Sequence, residues 1–108
     1  MNIDNYQNLT AETAQSELNS KERVINWVMG ISGESGEVAD YMKKVLFHDH
    51  PMNREKLKDE LGDILWYISR LASEYEIKFS DIISYNIDKL NKRYPEGFDK
   101  ERSINRPD

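Results

Sequence analysis

The apolar positions of this chain recur at helical spacing over most of its length. Val24, Ile25, Val28, Ile31, Val38, Met42 and Val45 follow one another at intervals that keep one side of a helix apolar. Ser20 stands ahead of them as an N-cap, so the pattern predicts a long helix from Ser20 to about Phe47. "HDHPMN" breaks the pattern: Pro51 disfavours a helical conformation at His50, and Asn53 offers the next cap. A third helix is predicted from about Asn53 to Tyr75, with Leu57, Leu61, Ile64, Leu65, Ile68, Leu71 and Ala72 on one broad stripe. A fourth runs from about Asp81 to Tyr94, capped by Ser80, with Ile83, Ile87 and Leu90 inward and "PEG" at 95 to 97 as its stop. Ahead of these, residues 6 to 18 form a first helix whose only large aliphatics are Leu9 and Leu18. No stretch alternates with a period of two. The expected architecture is all-α, an antiparallel hairpin of two long helices with two shorter helices packed on it as a four-helix bundle.

Nothing divides the chain into parts, since it has no internal repeat, low-complexity linker or Pro/Gly/Ser-rich break. At 108 residues one domain is expected, burying roughly two-thirds of its unfolded surface. It comprises an N-terminal segment (1–19), the helices that carry the chemistry (20–97) and a C-terminal tail (98–108). Fifteen basic residues against twenty acidic ones give a net charge of −5, the wrong sign for a protein that grips nucleic-acid backbone. There is no cysteine, so disulfides and thiolate metal sites do not enter. "MNIDNYQNLTAETAQ" lacks a signal-peptide pattern and no apolar run spans a bilayer, which makes a cytoplasmic protein with no membrane partner the expectation.

The chemistry lies in two acidic pairs. Glu34 and Glu37 are three apart on the second helix and project side by side; Glu60 and Asp63 repeat the spacing on the third. Both pairs sit about midway along helices joined by a short turn, so four carboxylates can converge on one point. Four anions in a small volume repel unless a cation sits between them. All-oxygen ligation suits the hard ions Mg2+ and Mn2+. A di-iron bundle would instead want an ExxH motif, which positions 37 and 63 do not supply. The plain alternative is a solvated acidic face, usual for acids at this spacing. Against it stand the placement of Glu37, Glu60 and Asp63 within or beside the apolar stripes, and the glycines. Gly30, Gly33 and Gly36 each cost about 1 kcal/mol against alanine in a helix. They form a bare strip beside the acids, open to a neighbouring helix or to a ligand.

"GESGEV", "DELGDILWY" and "NIDKLNKRYPEGF" together resemble the MazG-type nucleoside triphosphate pyrophosphohydrolases, all-α enzymes marked by ExxE, a spacer and ExxD. The spacer is residues 38 to 59, and the resemblance covers roughly residues 20 to 98. It implies Mg2+-dependent hydrolysis of nucleoside triphosphates between the α and β phosphates, giving a monophosphate and pyrophosphate. By position, it implies that Glu34, Glu37, Glu60 and Asp63 hold the metal and orient or activate water, with one of the four as general base. It also implies a homodimer or homotetramer. Lys44 returns to the face of Glu37, and Asn86, Lys89 and Arg93 share a face of the fourth helix in the family's "N..KL..RYP" segment; these are the candidates for phosphate or sugar contacts.

For the base, Trp27 lies seven residues before Glu34 with Gly30 between, and Tyr67 lies near the Glu60 face. Either aromatic can stack on a base or belong to the core. His48 and His50 flank Asp49 in the turn and receive no role. The reading adopted is an Mg2+-dependent nucleoside triphosphate pyrophosphohydrolase that cleans or controls a nucleotide pool. Its rivals are a non-enzymatic helical interaction module and an oligomeric di-metal carboxylate protein. A four-helix protomer this small has too few inward faces to enclose a nucleotide alone, which also points to pairing of the hairpins.

Overall fold

A computed structural model describes residues 1–14, 16–98 and 100–105. The parts of the predicted first helix and tail that fall on Gln15, Asp99 and residues 106–108 lie outside the described residues. The elements in order are α1 (Ile3–Thr13), α2 (Ser20–Phe47), α3 (Arg54–Glu74), α4 (Phe79–Arg93) and the short α5 (Lys100–Ile104). Among the described residues there is no strand, and the all-α class holds. Among the described residues no helix is long and apolar enough to cross a membrane.

Local chemistry explains where the first three helices begin. Asn2 caps α1, its side chain accepting from the N–H of Asn5 at 2.8 Å. For α2 the cap is Asn19, one residue before the expected Ser20. Its side chain accepts from the N–H of Glu22 at 2.9 Å, while Glu22 accepts from the N–H of Asn19 at 3.2 Å, a reciprocal capping box. Asn53 caps α3 as expected, accepting from the N–H groups of Glu55 and Lys56 at 3.0 and 3.2 Å.

Helix α4 departs from expectation. It starts at Phe79, and Lys78 at its cap position gives no side-chain hydrogen bond. Two side chains of α1 do the capping instead. Gln7 accepts from the N–H of Phe79 at 2.8 Å, and Asp4 accepts from the N–H and hydroxyl of Ser80 at 3.0 and 2.7 Å. Gln7 also donates to the Ile77 carbonyl at 2.9 Å and to Ser73 Oγ at 3.0 Å. The buried residues of α1 are accordingly polar, Gln7 and Thr10, the latter hydrogen-bonded to the fully buried Ser69 of α3 at 2.7 Å. Leu9 and Leu18, the sparse aliphatics of this segment, are exposed.

Helices α2 and α3 form the antiparallel hairpin, and α1 lies on α3 and on α4. The core is thin: Trp27, Tyr41, Ala72 and Phe79 are its buried apolar side chains. Ile83, Ile87 and Leu90, expected to point inward from α4, are 42%, 50% and 38% exposed, because α4 is anchored chiefly on α1. Ile25 and Val28 of α2 and Leu61 and Leu65 of α3 are exposed as well. The radius of gyration is 17.1 Å, against about 13 Å for a compact domain of this length.

Candidate active site

The turn fixes how the hairpin's two helices face one another. Helix α2 ends where Asp49 takes a left-handed conformation (φ 57°), which short polar side chains tolerate. The N–H groups of His48 and His50 then both return to the Lys44 carbonyl, at 3.0 and 3.1 Å. The hydroxyl of buried Tyr41 closes the turn, accepting from the N–H of Asn53 at 2.7 Å and facing the carbonyls of Pro51 and Asn53 at 3.4 Å. With the register set there, the middles of the helices bring Glu34, Glu60 and Asp63 together, one carboxylate oxygen of each lying within 4.8 Å of the others. Glu34 and Glu60 are half-buried and Asp63 is exposed.

Crowding shows in the proton affinities. The carboxyl of Glu34 is pushed above its ordinary value, first by desolvation, then by the charge of Asp63, a hydrogen bond to Glu60 that favours the protonated form, and the charges of Glu60 and Glu37. Asp63 is pushed up by desolvation and by the charges of Asp59 and Glu60. Like charges held together with too little water are the condition that a divalent cation relieves. The donor set is all carboxylate oxygen, which fits a hard ion such as Mg2+ or Mn2+.

The group of three does not include Glu37. A rise of three residues, about 4.5 Å along the axis, carries it toward the turn, where with Glu60 it lines an open cleft of about 340 Å3. The other walls of this cleft come from Asp40, Tyr41, Lys44, His50, Pro51, Asn53 and Lys56. Lys44 therefore stands beside the acids as its spacing implied, with its ammonium on Asp40 at 2.8 Å. Lys56, which the sequence reading passed over, contacts Glu60 at 3.5 Å and lies 5.3 Å from the centre of the Tyr41 ring. The signal was present, since Lys56 is four residues before Glu60 on one helix. Tyr6 of α1 was also missed; its hydroxyl is pushed up in pKa by desolvation and by the charge of Asp63.

The aromatic candidates lie on the other side of the acids from the turn. Trp27 is 4% exposed, with its ring centre 5.3 Å from that of Trp66 and 6.2 Å from that of Tyr67. Its indole N–H donates to Glu74 at 3.1 Å, and Glu74 also takes the Arg23 guanidinium through two nitrogens, at 2.8 and 3.3 Å. A Cβ at Gly30 would overlap the Tyr67 ring, so the space this glycine opens is filled from within the chain. Gly33 and Gly36, by contrast, have nothing within 4 Å of a Cβ position. Asn86, Lys89 and Arg93 ride on α4; none of them joins the acid group or lines the cleft.

An all-helical domain that concentrates carboxylates from two antiparallel helices, next to a cleft bearing lysines, defines a class: it can hold a cation and an anionic ligand side by side. The particular family follows from comparison. The MazG nucleotide pyrophosphohydrolase domain matches residues 21–98, and the chain belongs to that family. It is 33% identical over 105 residues to the Gene 37 protein of Mycobacterium phage L5, covering 90% of this chain and 92% of that protein. No solved structure matches.

Proposed function

We propose that the protein hydrolyses nucleoside triphosphates between the α and β phosphates with Mg2+, in the service of a cytoplasmic nucleotide pool. The observation that carries this reading is the meeting of Glu34, Glu60 and Asp63 within 4.8 Å in a chain that carries the pyrophosphohydrolase domain. A divalent ion on these three would supply charge neutralisation for the phosphates. The oxygen of water bonds to the α-phosphorus and the bond from that phosphorus to the α–β bridging oxygen breaks. The bridging oxygen leaves with pyrophosphate. One of the four carboxylates Glu34, Glu37, Glu60 and Asp63, left without a full bond to the ion, receives the water's proton. Lys44 meets the phosphates.

We place Asn86, Lys89 and Arg93 at the site of a second copy, in a homodimer or a homotetramer. The accessible surface is 8221 Å2, against about 6,200 Å2 for a compact monomer of 12.7 kDa. An excess of about 2,000 Å2 is in the range that stable interfaces bury. It is matched by the exposed apolar residues of α2, α3 and α4.

The test is a panel of common and modified nucleotides with Mg2+, scoring pyrophosphate against inorganic phosphate. Release of pyrophosphate with the monophosphate is expected, together with its loss in Glu37→Gln and Glu60→Gln at unchanged helical content. Release of inorganic phosphate, or retained turnover in Glu60→Gln, would overturn the assignment.

A further inference from the structure

The cleft at the turn end of the hairpin holds two cationic or titratable side chains, Lys56 and His50, to which the proposed reaction gives no role. Its two lysines come from different helices, Lys44 from α2 and Lys56 from α3, and His50 comes from the turn between them. Each ammonium carries three donors. Each ion-pairs with a carboxylate four residues away, Asp40 for Lys44 and Glu60 for Lys56, and Lys44 also feels the charge of Glu37. Both lysine side chains remain 43% and 49% exposed, so they can turn toward a ligand without unfolding anything. Glu60 also belongs to the acid group, so a cation there competes with Lys56 for one carboxylate and leaves the ammonium in want of a new anion.

The cleft presents no broad aromatic face for a base. Besides the small His50 imidazole its one aromatic ring is Tyr41, which is 7% exposed, has Lys56 over it and has its hydroxyl tied to the backbone of Asn53. Its volume of about 340 Å3 lies within the range of small-ligand sites, ~300–1,000 Å3. The turn holds it open: the left-handed Asp49 and the return of the His50 N–H to Lys44 bring His50 and Pro51 back to the cleft.

We propose that this cleft holds the two terminal phosphates of the substrate, the part released as pyrophosphate, through Lys44, Lys56 and His50. The nucleoside then points along the hairpin in the opposite direction. The proposal rests on the pyrophosphohydrolase reading for its ligand, and it fixes the polarity of the triphosphate on the hairpin.

Its test is equilibrium dialysis of labelled pyrophosphate against the full chain with Mg2+, beside inhibition of turnover by the monophosphate product. Wild type should retain pyrophosphate. Lys44→Met and Lys56→Met should each weaken that binding at least tenfold, and His50→Gln by a smaller factor, while inhibition by monophosphate stays within twofold. Lys56→Arg, which keeps the charge, should recover most of the loss and thereby separate anion binding from any effect on the fold. Unchanged pyrophosphate affinity in the Lys44→Met/Lys56→Met double variant overturns the proposal, as does an equal loss of monophosphate inhibition. Because dialysis needs no turnover, the two readings fail separately. Lysine-dependent pyrophosphate binding without cleavage at the α–β bond upholds the cleft and rejects the reaction. Cleavage there with lysine-independent binding does the reverse.

Discussion

Replacing Glu34 with glutamine removes one of three charges that the hairpin forces together and keeps a donor toward Glu60. At separations of up to 4.8 Å, each carboxylate pair repels by about 1 kcal/mol even in a water-like dielectric. Neutralising Glu34 lifts two such pairs, with Glu60 and with Asp63, so metal-free protein should gain about 2 kcal/mol. For a domain of this size that corresponds to a rise in Tm of roughly 8–10 °C. The sign depends on pH. The pKa values of Glu34 and Asp63 are raised on folding, so the folded protein holds protons more tightly than the unfolded chain. Their penalty is therefore absent below the unfolded values, grows as pH climbs, and is complete above the folded values. Thermal unfolding at about pH 8 and low salt, with EDTA or with Mg2+, reads both halves of the argument. Wild type should gain stability with Mg2+, by about 2.7 kcal/mol at a hundredfold excess over Kd. Glu34→Gln should be more stable in EDTA and nearly indifferent to Mg2+. A variant that is less stable in EDTA, or that gains as much from Mg2+ as wild type, would refute the view that crowded charge and cation binding share one origin.

Three other outcomes follow from the same geometry. Trp27→Ala should cost about 3–5 kcal/mol in urea unfolding, with kcat and KM changing together; a raised KM at full stability would return the indole to the base site. Gly33→Ala should stabilise by about 1 kcal/mol, since nothing meets the added methyl, whereas Gly30→Ala should lose that gain and more to overlap with Tyr67, overpacking costing about 1–3 kcal/mol. Equal effects at the two glycines would contradict the Tyr67 contact. The Arg23 and Trp27 hydrogen bonds hold the Glu74 carboxyl below its ordinary value of 4.5, so its stabilisation is present above that pH and fades as pH falls through the folded value. The stability gap between wild type and Glu74→Gln should accordingly narrow in acid titration and stay constant at neutral pH.

The hairpin was legible because its signals are local and repeated. The apolar stripes of α2 and α3 are long, and Pro51 and Asn53 mark the turn unambiguously. The acid pairs came with them, since spacing of three fixes a shared face. Spacing does not fix convergence, and a displacement of three residues along α2 leaves Glu37 outside the group formed by the other three carboxylates. Asn19 and Ser20 are both good caps; Glu22, three residues after Asn19, held the deciding information. The sequence leaves Trp27 open as base platform or core, and the Tyr67 ring that fills the space beside Gly30 comes from another helix, where spacing along α2 carries no sign of it. For α4 the spacing of Ile83, Ile87 and Leu90 located the helix but not its cap: its first amides are satisfied by side chains more than seventy positions earlier.

That long-range capping bears on where the working unit begins. The family match starts at residue 21, after α1 has ended. Yet the amides of Phe79 and Ser80 depend on Gln7 and Asp4, and α1 is the chief support of α4. A protein trimmed to the matched bounds would keep every carboxylate of the hairpin and lose the brace of the helix that bears Asn86, Lys89 and Arg93. Shared ancestry and mechanical completeness draw different borders on this chain, and the wider one includes its first thirteen residues.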